Sequence, residues 1–170
     1  MEILQFVAGM PLGYYAAAAL IGLGVWLWKR RRVPALLAAY AFFLLSLAVL
    51  ARESAAERQY ALRLFWSYAD LEKQGLQILA NIGVFVPLGL LLGLEFGWKG
   101  LPLGAGFSVA IELLQLLTAR GLFEFDDMVH NTLGTLIGVA LAVLIVRRRG
   151  KDPPAPACAQ REEDPPGPKA

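Results

Sequence analysis

The chain has 170 residues, of which 57% are hydrophobic and 18% are charged, and its formal net charge is +2. The charged residues cluster between long apolar runs, whereas a soluble globular domain scatters them over its helix faces. These features exclude an ordinary soluble domain and indicate a membrane protein, because a span of about 20 apolar residues crosses a bilayer.

Five apolar runs follow one another along the chain and predict an all-α, polytopic bundle of about five transmembrane helices. A signal peptide is the alternative for the first run, but its basic residues follow the apolar run instead of preceding it. The predicted spans are residues 12–28, 33–51, 78–96, 101–119 and 128–146.

The short loops predict the orientation of the bundle, because Lys and Arg near span ends favour the cytoplasm. Residues 29–32, Lys99 and residues 147–151 carry positive charge and fall on one side. The other side receives the charge-balanced segment 52–77 and the acidic loop that precedes the fifth span. We therefore expect the N-terminus outside and the C-terminus inside.

Two segments are expected to lie outside the spans. Leu62, Phe65, Trp66 and Ala69 recur at helical spacing, which predicts a helix lying in the membrane interface. Residues 150–170 are rich in proline and lack apolar periodicity, so they are predicted to form a disordered cytoplasmic tail after a transmembrane domain of residues 1–149. The tail contains Cys158, and a single cysteine excludes an intramolecular disulfide and a thiolate zinc site.

Polar residues within the last three spans mark the predicted site, since a charged side chain at a helix centre costs at least about 2.5 to 3.5 kcal/mol in a membrane. Ser108, Glu112 and Gln115 fall on one face of the fourth span, which must look into the bundle. Asp127 and Asn131 are one helical turn apart at the start of the fifth span. The predicted ligand-binding residues are Asn81, Ser108, Glu112, Gln115, Arg120, Asp126, Asp127 and Asn131.

Two glycine pairs predict close contact between the third and fifth spans. Gly89 and Gly93 in the third span, and Gly134 and Gly138 in the fifth, have the G-x-x-x-G spacing that lets helix backbones approach. The alternative is that they are ordinary glycines of membrane helices.

Three blocks of residues together resemble the VanZ-like family, named for an accessory teicoplanin-resistance protein of enterococci. Residues 81–89, N-I-G-V-F-V-P-L-G, are similar to the family's N-I-x-x-F-x-P-x-G stretch. Ser108 with I-E-L-L-Q, and then Arg120 with F-E-F-D-D and N-T-L-G, follow in the family's order and spacing. The resemblance covers residues 78–146. It implies a multi-pass protein of the bacterial cell membrane, associated in some members with lowered sensitivity to glycopeptide antibiotics.

One residue departs from the family pattern, since His130 occupies a position that is usually apolar or small. We expect an interface histidine bonded to a neighbour, and a ligand or a proton carrier is the alternative.

Three functions are compatible with these residues. The first is a pocket open to the outer leaflet that holds a phospholipid headgroup or a lipid-linked envelope precursor, with Arg120 suited to phosphate. The second is an intramembrane enzyme with Glu112 as general acid and Asp127 as base, which is the less favoured because no nucleophilic Ser or Cys stands beside a base. The third is a network that only fixes helix packing. We expect the bilayer as a partner, and no cofactor, metal or nucleic acid.

Overall fold

The computed structural model describes residues 10–29 and 31–149, and helices occupy each of the five apolar segments. The predicted tail, with Cys158, lies outside the described residues. The helices are α1 (Leu12–Lys29), α2 (Arg32–Leu45, continued by a π-helical turn over Ser46–Leu50), α3 (Leu71–Phe96), α4 (Gly100–Thr118) and α5 (Phe125–Arg149). Strand β1 (Gln59–Ala61) and a 3-10 helix (Trp66–Asp70) precede α3, a 3-10 turn (Gly97–Lys99) precedes α4, and strand β2 (Leu122–Glu124) precedes α5.

Three helical stretches are long and apolar enough to cross a membrane. They are Arg32–Leu50, Trp66–Thr118 and Phe125–Arg148, and Leu12–Trp28 is a shorter apolar helix. The second stretch contains both α3 and α4. Large apolar side chains are exposed on the outside of these helices, among them Leu79, Leu117 and Leu144. Such an extensive exposed apolar surface is typical of a protein surrounded by lipid.

Helices α3 and α5 pack in parallel with their backbones in contact. A Cβ atom on Gly134 would overlap the carbonyl oxygen of Ile82, and one on Gly138 would overlap that of Val86. Residue numbers thus increase in the same direction along both helices. The glycines at positions 89 and 93 meet the α5 backbone in the same interface. The close approach predicted from the two G-x-x-x-G pairs is confirmed.

Helix α4 runs antiparallel to α5. Gly104 of α4 lies against Thr135, whereas Ser108, one turn further along α4, accepts a hydrogen bond of 3.0 Å from Asn131, one turn earlier in α5. The hydrophobic core lies where α2, α3 and α4 meet, and its most buried residues are Leu44, Val49, Phe85, Leu88, Leu92 and Ile111.

The basic residues that flank the helices lie at one end of the bundle. Arg31, between α1 and α2, forms an ion pair of 2.8 Å with Glu95 near the end of α3, so these two turns share an end. Because α5 runs parallel to α3, residues 147–149 lie at that end as well. The opposite end, here called the loop end, contains residues 51–70 and 119–124.

A short parallel ladder closes the loop end. β1 pairs with β2 in the register Gln59–Leu122, Tyr60–Phe123 and Ala61–Glu124. The residues before β1 are also fixed in position, since the Ala55 N–H donates to the Ala119 carbonyl at 2.7 Å. The segment after α2 is therefore fixed to the segment after α4.

The predicted helix through residues 62–69 forms only in its second part, where a 3-10 helix covers Trp66–Asp70, and the prediction is wrong for residues 62–65. Phe65 has φ 61°, in the left-handed region that interrupts a right-handed helix. The Phe65 N–H donates to Asp126 Oδ1 at 2.5 Å, and the Ser67 N–H donates to Oδ2 at 3.0 Å. A buried carboxylate from α5 thereby imposes a turn where the local sequence pattern favours a helix.

Candidate functional site

Two adjacent cavities lie at the loop end, and Arg52, Asn81 and Asp127 line both of them. The inner chamber has a volume of about 70 Å³ and lies between α2, α3, α4 and α5. The outer cavity has a volume of about 490 Å³ and lies beside β2 and the first turns of α3. The other polar residues of the inner chamber are Glu112, Gln115 and Asn131, and those of the outer cavity are Trp66, Lys73, Gln74, Gln77 and Glu124.

The predicted polar face of α4 turns into the bundle. Ser108, Glu112 and Gln115 are all buried, and Glu112 is only 1% exposed. The Glu112 Oε2 atom accepts a hydrogen bond of 2.9 Å from the backbone N–H of Glu124. Glu112 is thus oriented by the strand that closes the site and not by the amides of Gln115 or Asn131.

A pair of carboxyl groups lies between the two cavities. The side chains of Glu124 and Asp127 are close enough to interact electrostatically with each other. Burial, and then the neighbouring charge of Asp127, raises the pKa of Glu124 to about 8. Asn81 Nδ2 donates to Asp127 Oδ1 at 2.6 Å. Burial thus favours the protonated form of Glu124, whereas Asp127 accepts a hydrogen bond from Asn81.

The side-chain amide nitrogens of Gln115 and Asn131 both donate hydrogen bonds within the protein. Gln115 Nε2 donates to the Ala48 carbonyl at 3.1 Å, and Asn131 Nδ2 donates to Ser108 Oγ at 3.0 Å. Ala48 belongs to the π-helical end of α2, and π-helical turns are frequent at functional sites. The Gln115 Oε1 atom is buried and has no hydrogen-bond partner.

Arg52 and Glu124 line the cavities although neither was among the predicted site residues. Arg52 begins the loop after α2, and its positive charge acts on Glu112, Glu124 and Asp127. The only sequence signal for Arg52 is its position directly after the second apolar run. Glu124 becomes buried because β2 pairs with β1, which helical spacing does not indicate.

Three predicted site residues lie outside the linings of these two cavities. Ser108 is buried against Asn131. Arg120 donates from its guanidinium to the Leu50 carbonyl at 3.0 Å, where the helical hydrogen bonding of α2 ends. Asp126 is engaged by the turn at residues 65–67. These three residues contact and orient other parts of the loop end.

His130 is buried and bonded to a neighbour, as expected for a structural histidine. Its Nε2 atom lies 3.0 Å from the hydroxyl of Tyr68, and the two rings are in contact with centroids 5.6 Å apart. Within residues 10–29 and 31–149, no three side chains of His, Cys, Asp or Glu are arranged to hold a metal ion.

Comparison with known proteins agrees with the resemblance seen in the sequence. A family model described as VanZ/LLP1 matches residues 34–146, about two thirds of the chain. The matched region contains every residue that lines the two cavities. No curated protein and no solved structure matches the chain.

Proposed function

Because the chain belongs to the VanZ/LLP1 family, we propose that it is a multi-pass envelope protein whose cavities bind the headgroup of a membrane lipid or of a lipid-linked envelope precursor. The observation that carries this proposal is the outer cavity. Its volume of about 490 Å³ is in the range of small-molecule sites, and it lies at one end of an apolar bundle.

The lining of the outer cavity suits a phosphorylated headgroup. The guanidinium of Arg52 can bond two phosphate oxygens, and Lys73 adds a second positive charge. Trp66 Nε1 is a buried donor without a partner in the same lining. The predicted phosphate role of Arg120 passes to Arg52 in this proposal, since Arg120 is engaged with Leu50.

All five helices cross the membrane in this proposal, with the N-terminus and the loop end outside and the C-terminus in the cytoplasm. Support comes from the basic residues, which gather at the opposite end of the bundle, as expected for a cytoplasmic side. The cavities then open to the outer leaflet of a bacterial cell membrane. Headgroup binding there would alter sensitivity to glycopeptide antibiotics, the effect that the family resemblance implies.

An acid/base enzyme acting on a lipid-linked envelope substrate is the second candidate, and the neighbouring carboxyl groups of Glu124 and Asp127 favour it. Glu112 and Asp127 remain the predicted acid and base, since both line the inner chamber. A structural network is the third candidate, because hydrogen bonds between membrane helices contribute about 0.6 to 2 kcal/mol.

Native mass spectrometry of the protein, purified in detergent with added phospholipids or lipid-linked cell-wall precursors, tests headgroup binding. We expect bound lipid, and about tenfold less after Arg52→Ala, because a hydrogen bond to a charged group contributes about 1.5 to 3 kcal/mol. Arg63→Ala is the matched control, since Arg63 is exposed and lines neither cavity.

Three outcomes separate the candidates. Absence of bound lipid, or equal binding by both variants, would contradict the headgroup site. Conversion of a precursor that stops in Glu112→Gln would favour the enzyme. Loss of folded protein in both Arg52→Ala and Glu112→Gln, with no lipid bound to the wild type, would favour the structural network.

A further inference from the structure

The inner chamber presents an acceptor that lacks a donor. Gln115 is 4% exposed, and its Oε1 atom has no hydrogen-bond partner. The Nε2 atom of the same amide is held by the Ala48 carbonyl, which fixes the direction of the side chain. A buried polar atom of this kind destabilises the protein unless a partner satisfies it. A ligand that donates a hydrogen bond would remove this destabilisation.

The remaining polar lining also favours a donor with positive charge. The carboxyl groups of Glu112 and Asp127 line the chamber with Gln115. Arg52, which lines both cavities, provides the opposite charge at their boundary. The amide nitrogens of Asn81 and Asn131 donate to Asp127 and Ser108. The two acidic residues and the residue with the unsatisfied oxygen thus line the same chamber.

The size of the chamber limits the ligand group to a few heavy atoms. Its volume of about 70 Å³ equals the share of roughly two water molecules in the liquid. A primary ammonium on a short carbon chain suits this space. A trimethylammonium is bulkier and has no N–H to donate to Gln115 Oε1.

We propose that the inner chamber receives the primary ammonium of the headgroup whose phosphate lies at Arg52, so that the ligand is an aminophospholipid of the phosphatidylethanolamine type. This assignment rests on the proposed headgroup binding and names the class of lipid. Arg52 lines both cavities, so the phosphate and the ammonium of one headgroup occupy neighbouring positions. Soluble phosphoethanolamine has the same two groups but lacks the acyl chains.

The test compares three phospholipids with identical acyl chains and different headgroups: ethanolamine, choline and glycerol. Native mass spectrometry of the full chain in detergent measures the bound fraction of each lipid at equal concentration. We expect the ethanolamine lipid to be retained about tenfold over the other two, because only its headgroup has a charged N–H donor for the chamber. Adding one, two or three methyl groups to the ethanolamine nitrogen should lower retention stepwise.

Variants connect this preference to the chamber. Glu112→Gln keeps an oxygen to accept from the Glu124 N–H but cannot become a carboxylate beside a bound ammonium, so the ethanolamine-to-choline ratio should fall toward one. Glu72→Gln is the control, because Glu72 is exposed in the first turn of α3 and lines neither cavity. Melting curves verify that each variant is folded. If Glu112→Gln does not fold, the three-lipid comparison on the wild type decides the question.

The results distinguish this inference from the function on which it rests. Equal retention of all three lipids, or a preference for choline or glycerol, would overturn the ammonium assignment and leave headgroup binding intact. If the protein retains none of these phospholipids and no lipid-linked precursor, headgroup binding itself is overturned. Displacement of the lipid by soluble phosphoethanolamine at equal concentration would overturn the assignment to a lipid, whereas no displacement supports it.

Discussion

Buried acidic residues of the loop end have two different roles. Asp126 accepts hydrogen bonds from the backbone of Phe65, and from both the backbone and the hydroxyl of Ser67, so its charged form is satisfied. Glu124 instead lies beside the carboxyl group of Asp127, and burial, followed by that neighbouring charge, raises its pKa. Asp126 therefore fixes the backbone in its charged form, whereas the protonated form of Glu124 is favoured.

The Glu124–Asp127 pair predicts a loss of stability at alkaline pH. Burial and the charge of Asp127 raise the pKa of Glu124 from 4.5 in an unperturbed chain to about 8 in the folded protein. The unfolded chain releases this proton first, so the stabilisation is complete below about pH 4.5 and is lost progressively as the pH rises to about 8. We expect the melting temperature in detergent to fall by several degrees between about pH 6 and about pH 9.

Glu124→Gln provides the comparison for this pH dependence. Glutamine has similar volume and can donate to the Asp127 carboxylate without titrating. Its melting temperature should fall by less over the same pH interval. A decrease as large as that of the wild type would show that other groups cause the effect.

At the scale of helices, the α3–α5 interface depends on glycines that leave no room for a side chain. Gly138→Ala would bring a methyl group onto the Val86 carbonyl. We expect it to destabilise the protein by roughly 1 to 3 kcal/mol, the usual cost of overpacking. Thermal unfolding in detergent and the yield of monodisperse protein measure the effect.

Gly106→Ala is the matched control for that substitution. Gly106 lies in the interior of α4, and a Cβ atom there would meet no other atom within 4 Å. Alanine is favoured over glycine in helices, so this variant should be at least as stable as the wild type. Equal losses in both variants would contradict backbone contact between α3 and α5.

The elements that the sequence predicts well are those whose pattern is local. Helical spacing places Ser108, Glu112 and Gln115 on one buried face, and the glycine pairs indicate where helices approach. The turn at Phe65 depends on Asp126, 61 residues away, so the apolar spacing of residues 62–69 predicts a helix that forms only from Trp66 onward. Burial of Glu124 depends likewise on β1, which occupies only Gln59–Ala61 and has no clear strand pattern.

At the scale of the whole molecule, the separation of charge between the two ends predicts which positions face outward. In a Cys158→Ser background, Glu57→Cys places a thiol at the loop end and Lys99→Cys places one at the basic end. We expect a membrane-impermeant maleimide to label Glu57→Cys in intact cells and Lys99→Cys only after permeabilisation. The reverse pattern would invert the orientation, and labelling of both positions in intact cells would contradict a membrane crossing by α3.

The wild-type chain supplies its own control for this experiment. Its single cysteine, Cys158, belongs to the predicted cytoplasmic tail, so intact cells should leave it unlabelled. Labelling after permeabilisation would show that the thiol is reactive. Labelling before permeabilisation would contradict a cytoplasmic C-terminus.

The parallel ladder at the loop end also has a consequence for how the protein is made. β1 pairs with β2, and the turn at Phe65 bonds to Asp126, so partners lie about 60 residues apart in the chain. At about 5 to 20 residues per second, ribosomal synthesis separates the Phe65–Asp126 partners by roughly 3 to 12 seconds. Throughout that interval β1 and its flanking loop have emerged without their partners. Packing of α5 against the earlier elements is therefore the step that completes both cavities, because Asp127 lines each of them.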